Sequence, residues 1–160
     1  MNKKRLLFVC LGNICRSPAA EAVMNAKIKN AGIENQVTCD SAGILGYHSG
    51  EKADVRMRNH ALKRGYKVTS ISRKFNAAHD FDAFDMIIGM DDQNINDLNL
   101  LTRTSADKGK ICRMTDFSTQ KLYNYIPDPY YGGPEGFELV IDLLEDACDG
   151  LLGYLKKVSK

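Results

Sequence analysis

Apolar positions along the chain fall into two kinds of run. Leu6-Leu7-Phe8-Val9-Cys10 and Met86-Ile87-Ile88-Gly89-Met90 are short and continuous. The first ends at Gly12-Asn13 and the second at Asp91-Asp92, so both predict strands buried on two faces. Phe137, Ile141, Leu144, Cys148, Leu151 and Leu155 recur instead in steps of three and four, the period of an amphipathic helix. Ala20, Val23, Met24 and Ile28 share one face of another helix, with Ser17 expected as its cap, Pro18 in its first turn and Gly32 as its stop. Val37 to Ala42 and, more weakly, Lys110 to Met114 read as further strands. Asp54 to Arg64 reads as a helix closed by Gly65. Asp91 is expected to cap a helix, with the orienting of Arg16 as its lesser reading.

Strands that alternate with helices, and are apolar throughout, predict an α/β fold. The expected form is a doubly wound open parallel sheet of about four strands with helices on both faces. Ligands of such sheets bind beyond the carboxyl ends of the strands. Cys10 to Ser17, Ser41 to Gly50 and Met90-Asp91 are expected there, and Asp128 lies in a loop that can reach the same rim.

Composition narrows the class. The 160 residues are 44% hydrophobic and 26% charged, which excludes disordered, collagen-like and disulfide-dense chains and suits one domain over 1–160. Lys and Arg number 22 against 20 Asp and Glu, a net charge of +2, so no basic footprint for nucleic acid is expected. No apolar run approaches the roughly 20 residues of a membrane helix, and no membrane partner is expected. Met1-Asn2-Lys3-Lys4-Arg5 before Leu6 imitates a signal peptide only faintly, because Gly12-Asn13 and Arg16 interrupt the apolar stretch. It reads as a basic lead-in to a strand. The five cysteines, Cys10, Cys15, Cys39, Cys112 and Cys148, form no Cys-x-x-Cys pair. That argues against a secreted disulfide framework and against structural zinc. The expected setting is the reducing cytoplasm, with a reactive thiol, no metal and no cofactor. A monomer is expected. His48, His60 and His79 have no ligand-like spacing and are read as structural, as are Cys39, Cys112 and Cys148.

The chemistry concentrates in Cys10-Leu11-Gly12-Asn13-Ile14-Cys15-Arg16-Ser17-Pro18, between a buried strand and a helix. Backbone amides and a helix N-terminus there make an anion cradle. Gly12 and Asn13 tolerate the positive φ that a tight loop needs. Arg16 offers a planar fork for two oxyanion oxygens. The positive field favours a thiolate at Cys10, and a thiolate beneath a bound tetrahedral oxyanion points to nucleophilic attack.

Cys-x5-Arg-Ser is the phosphate loop of cysteine-dependent phosphatases. The longer string Val9 to Ala22 resembles the low-molecular-weight protein tyrosine phosphatase family. Asp128-Pro129-Tyr130-Tyr131-Gly132 resembles that family's second motif, and Asp40-Ser41-Ala42-Gly43 and Phe84-Asp85 to Met90-Asp91 fit its pattern. The resemblance covers nearly the whole chain. It implies a flavodoxin-like sheet and hydrolysis of phosphotyrosine through a phosphocysteine, without metal. Cys10 would be the nucleophile. Arg16 and the amides of Leu11 to Arg16 would bind phosphate, and Asp128 would protonate the leaving phenolate and then activate water. Leu11, Gly12, Asn13, Ile14, Cys15, Ser17, Tyr47, Tyr130 and Tyr131 are the implied substrate-binding residues. Among them Ser17 would hydrogen-bond the thiolate, Asn13 would pin the loop, and Tyr130 and Tyr131 would wall the ring. Cys15 would form a reversible disulfide with Cys10.

The implied partners are a phosphotyrosine protein, an autophosphorylating tyrosine kinase of polysaccharide export among them, with phosphate as product. Some members carry a His shortly before a loop Arg; here Ser70 and Ile71 precede Ser72-Arg73. Arsenate reductase uses the same loop, but Asp80 to Leu101 lacks the added cysteine pair. Protein-arginine phosphatases of the family tend to carry Thr where Ile14 stands. A phosphocysteine carrier, a flavin protein and a non-catalytic phosphotyrosine binder are the other readings. Cys10, Arg16 and Asp128 together argue against all three.

Overall fold

The computed structural model describes residues 3–158; Met1, Asn2, Ser159 and Lys160, part of the expected lead-in and domain range, lie outside the described residues. Its sheet has four parallel strands, β1 (Lys4–Cys10), β2 (Val37–Gly43), β3 (Met86–Gly89) and β4 (Ile111–Arg113), in the order β2-β1-β3-β4. The helices are α1 (Arg16–Ala31), α2 (Val55–Lys63), α3 (Ala77–Ala83), α4 (Asp92–Leu101), α5 (Ser105–Lys108) and α6 (Pro134–Val158), with a 3-10 turn at Met114–Phe117. Among the described residues no helix is long and apolar enough to cross a membrane.

β1 is central because its side chains are apolar on both faces. Leu6, Phe8 and Cys10 join one core cluster with α1 and α6, and Leu7 and Val9 join a second with Phe75, Phe81, Ile87 and Leu98. Leu6 to Val9 are fully buried, and each such side chain is worth about 1.5–3 kcal/mol relative to exposure. The chain leaves β1 for β2 on one side and reaches β3 on the other. The carboxyl end of β1 is therefore the point where the strand order reverses, and such sheets open a crevice there.

The four expected strands are present within a residue or two of their expected bounds. The predicted faces of α1 and α6 are buried throughout. Gly32 ends α1 at φ 69°. Asp54 caps α2, its side chain accepting from the Arg56 amide. The periodicity did not reveal α3, α4 and α5. Each buries only one or two side chains, so no apolar stripe marks them. The start of α1 differs from expectation. The helix begins at Arg16 with Cys15 at the cap position, and no side chain caps it. Ser17 lies inside the first turn because its hydroxyl is engaged at Cys10 instead.

Candidate active site

The loop from Cys10 to Arg16 is held from outside through its carbonyls. Ile44 N donates to Cys10 O (3.0 Å), Leu45 N to Leu11 O (2.9 Å) and Asp54 N to Ile14 O (2.8 Å). Ser72 Oγ donates to Gly12 O at 3.1 Å. The C=O and N–H of a trans peptide point in opposite directions. Carbonyls drawn outward therefore turn the following amides inward, over the carboxyl end of β1. Among the described residues the amides of Gly12, Asn13, Ile14 and Cys15 have no backbone partner. This is an inward ring of donors at a helix N-terminus, where the partial positive charge of the helix adds to it.

Asn13 sets the curvature. It sits at φ 57°, which Asn tolerates better than other side-chain-bearing residues, and it is buried. Its Nδ2 donates to Ser17 Oγ at 2.8 Å, and its Oδ1 accepts from Arg73 N at 3.0 Å. Gly43 lets the loop close on β2. A Cβ there would lie 3.0 Å from Asn13 N and from the Gly12 carbonyl carbon. Arg73 is itself clamped by the fully buried Asp80 (3.0 and 3.2 Å) and by Asp40 (3.4 Å). Burial pulls the Arg73 guanidinium down, but these two carboxylates outweigh it and hold it above its ordinary pKa. Ser72 and Arg73 thus supply the support that the absent His left open in the sequence.

Cys10 Sγ lies at the base of this ring, 3.1 Å from Ser17 Oγ and 3.5 Å from Ser17 N. Ser17 Oγ already accepts from Asn13, which leaves its hydrogen to donate. Cys10 Sγ is the closer acceptor; Ala42 O is 3.4 Å away. Arg16, 3% exposed, donates from one terminal nitrogen to Asp91 Oδ2 (2.6 Å) and to Ile126 O (3.0 Å). Burial lowers the Arg16 pKa, but Cys10, Asp91 and Asp128 overcome it and hold the guanidinium above its ordinary value. Asp91 does cap α4, its Oδ1 accepting from Asn94 N (2.8 Å), and its other oxygen orients Arg16. The orienting role, the lesser reading from sequence, is therefore present alongside the cap.

Asp128 faces Arg16 across the cleft, its Oδ2 3.8 Å from the other terminal nitrogen, and 43% of its side chain is exposed. Its Oδ1 accepts from Tyr130 N at 3.0 Å, which fixes the turn through Pro129. The cleft has a volume of about 360 Å³. Cys10, Leu11, Gly12, Ile14, Cys15 and Arg16 form its floor, and Tyr47, Asp128, Tyr130 and Tyr131 form its walls. Tyr130 and Tyr131 meet edge to face at 4.9 Å. Asn13 and Ser17 do not line it. Both lie buried behind the loop, so their part is to shape it rather than to touch a ligand.

Leu45 and His48 of the loop 44–52, which the family resemblance links to substrate choice, line the cleft as well, although of that loop only Tyr47 is among the expected site residues. The lack of ligand-like spacing makes His48 structural along with the other histidines. Its ring instead packs against the Gly12 side of the loop, with Nδ1 3.2 Å from Glu51. No spacing signal in the sequence could have shown this. The five cysteines are free thiols. Burial pushes the Cys15 thiol well up, and Asp54 and Cys10 add to the shift.

The fold and the site together define a flavodoxin-like α/β protein that carries a thiol beneath a loop of inward-turned amides at its switch point. The model of the family described as low molecular weight phosphotyrosine protein phosphatase matches residues 5–160. A Synechocystis sp. relative is 49% identical over 155 residues, 96% of this chain and 97% of its own. Low molecular weight phosphotyrosine protein phosphatase 1 of Drosophila melanogaster is 40% identical over 146 residues, 91% of this chain and 92% of its own. The crystal structure of a protein tyrosine phosphatase from Entamoeba histolytica superimposes with a TM-score of 0.94 at 49% identity, covering 99% of this chain and 100% of that one. The chain belongs to the low-molecular-weight phosphotyrosine protein phosphatase family.

Proposed function

We propose that the chain hydrolyses phosphotyrosine in protein substrates in two steps, through a phosphocysteine and without a metal. The observation that carries this reading is the meeting of Cys10, Arg16 and Asp128 in one cleft, although the last is over a hundred residues from the others in sequence. Phosphate seated in the amide ring, with two oxygens on the Arg16 fork, has its phosphorus above Cys10 Sγ. The thiolate attacks in line. Arg16 and the amides stabilise the charge on the equatorial oxygens, the task a metal performs in other phosphatases. Asp128 in its acid form gives a proton to the departing phenolate. As carboxylate it then takes one from the water that cleaves the phosphocysteine. Ser17 donates to the thiolate as it is released. Ile14 and Tyr130 give the ring apolar surface, which favours a phenolic ester. When peroxide oxidises Cys10 to a sulfenic acid, the Cys15 thiol condenses with it to a disulfide and releases water, which spares Cys10 from over-oxidation until a thiol reductant reopens the bond.

The test is hydrolysis of 4-nitrophenyl phosphate and of phosphotyrosine and phosphoarginine peptides, with chelator present, by the wild-type chain and Cys10→Ser. The expected result is phosphotyrosine turnover that survives chelation and falls about 10⁴-fold or more in the variant, with vanadate binding kept. Turnover near wild type in Cys10→Ser would exclude the thiolate route. Preference for phosphoarginine would replace the substrate class.

A further inference from the structure

The start of α2 touches both the floor and a wall of the cleft. Asp54 N is bonded to Ile14 O of the loop, and the Asp54 carboxylate grips Arg56 through Nε (3.1 Å) and a terminal nitrogen (2.9 Å). The Arg56 guanidinium carbon lies 5.3 Å from the ring centre of Tyr130 and 4.9 Å from that of Phe137. Phe137 is a buried anchor of α6, and His60 of α2 stacks parallel on it at 5.5 Å. Tyr130 in turn holds Asp128 through its amide. A continuous line of contacts therefore runs from the loop at Ile14, through Asp54 and Arg56, to Tyr130 and Asp128. Asp128 needs such a tether, because its 3.8 Å approach to Arg16 is longer than a hydrogen bond.

We propose that Arg56 is a positioning residue for Asp128, setting the acid's distance from the floor of the cleft through the ring of Tyr130. This rests on the reading of Asp128 as the acid. Arginine suits the task because one planar group bonds a carboxylate with its edge and covers an aromatic ring with its face. A lysine ammonium is a point charge and cannot do both. Arg56 does not line the cleft, so it acts on substrate only through Tyr130 and Asp128.

The experiment measures kcat/KM, which reports the steps up to departure of the phenolate, for a series of aryl phosphates from phenyl to 4-nitrophenyl. Wild type, Arg56→Ala, Arg56→Lys, Asp128→Ala and the Asp128→Ala/Arg56→Ala double variant are compared. Arg56→Ala is expected to lose about tenfold on phenyl phosphate and less than about threefold on 4-nitrophenyl phosphate, whose leaving group needs little protonation. Arg56→Lys should recover only part of this. The double variant should be no slower than Asp128→Ala, and vanadate affinity should be unchanged. A loss equal on all esters, or one that persists undiminished in the Asp128→Ala background, would overturn the proposal and make Arg56 a structural residue. If Asp128→Ala itself shows no leaving-group dependence, it is the acid reading that fails. Should Arg56→Ala not fold, Arg56→Lys and Arg56→Gln carry the same comparison.

Discussion

The floor of the cleft with the residues buried behind it, 10–17, and the wall that carries Asp128, residues 126–131, differ in how their key groups are held. On the floor the polar groups are buried and multiply bonded. Arg16, Asn13 and Ser17 are each almost wholly inaccessible, and the loop carbonyls are tied to three other segments. On the acid wall Asp128 is partly exposed and Tyr131 is 94% exposed. That wall hangs from Ile126, bonded to Met90 and Arg16, and from the contact of Tyr130 with Arg56. The difference matches the two tasks proposed for them. A group that stabilises transition-state charge works best when fixed beforehand in a dry site. A group that must deliver a proton, and then collect one from water, has to remain open to solvent.

That contrast can be broken from either side. Of three further variants, Asp128→Ala should have the largest effect. It should slow phosphotyrosine hydrolysis about 10²-fold or more, 4-nitrophenyl phosphate less, and leave phosphate affinity near wild type. A leaving-group series measured with the purified variant checks this, and equal losses would remove Asp128 from the acid role.

Next is Gly150→Ala, where α6 packs on the 3-10 turn. A Cβ on Gly150 would lie 1.7 Å from Phe117 O, so α6 must move away from the 3-10 turn whose chain continues toward Ile126. A cost of about 1–3 kcal/mol is expected in denaturant unfolding. In the folded fraction, acid-dependent turnover should suffer more than vanadate binding. A variant as stable as wild type would show that the turn can shift freely.

Asp91→Asn should be the mildest. Asn is as good a cap as Asp, so α4 keeps its start and thermal stability changes little. The single amide oxygen then stays on Asn94 N and an NH2 donor faces Arg16, so the bond that orients Arg16 is lost and vanadate binding should weaken about tenfold. Calorimetric titration reads it; unchanged affinity would reduce Asp91 to a cap.

Much of the floor was legible because its logic is local. The end of a buried strand, a Gly-Asn turn, an Arg and a helix start fall within the nine residues Cys10 to Pro18, and their order dictates where the amides and the thiol go. The supports of that floor were not legible. Ser72 and Arg73 lie some 60 residues away, and neither belongs to a periodic pattern. Asp91 gave a cap signal, which is equally true of any capping Asp; only the second oxygen's contact with Arg16 distinguishes it. Ser17 misled for the same reason. Its sequence neighbours suit a cap, but Asn13 and Cys10 compete for the hydroxyl and win.

The sequence by itself determined the four parallel strands, the two long helices and the thiol-and-arginine loop at the end of the first strand. These depend on apolar period and on short-range backbone preference, which are properties of neighbouring residues. Tertiary structure alone decided which buried donors hold the loop, that His48 and Leu45 face the cleft, and that Arg56 touches the ring beside Asp128. Those contacts join segments tens of residues apart, and their existence follows from how the helices pack on the sheet rather than from any local preference of the residues that make them.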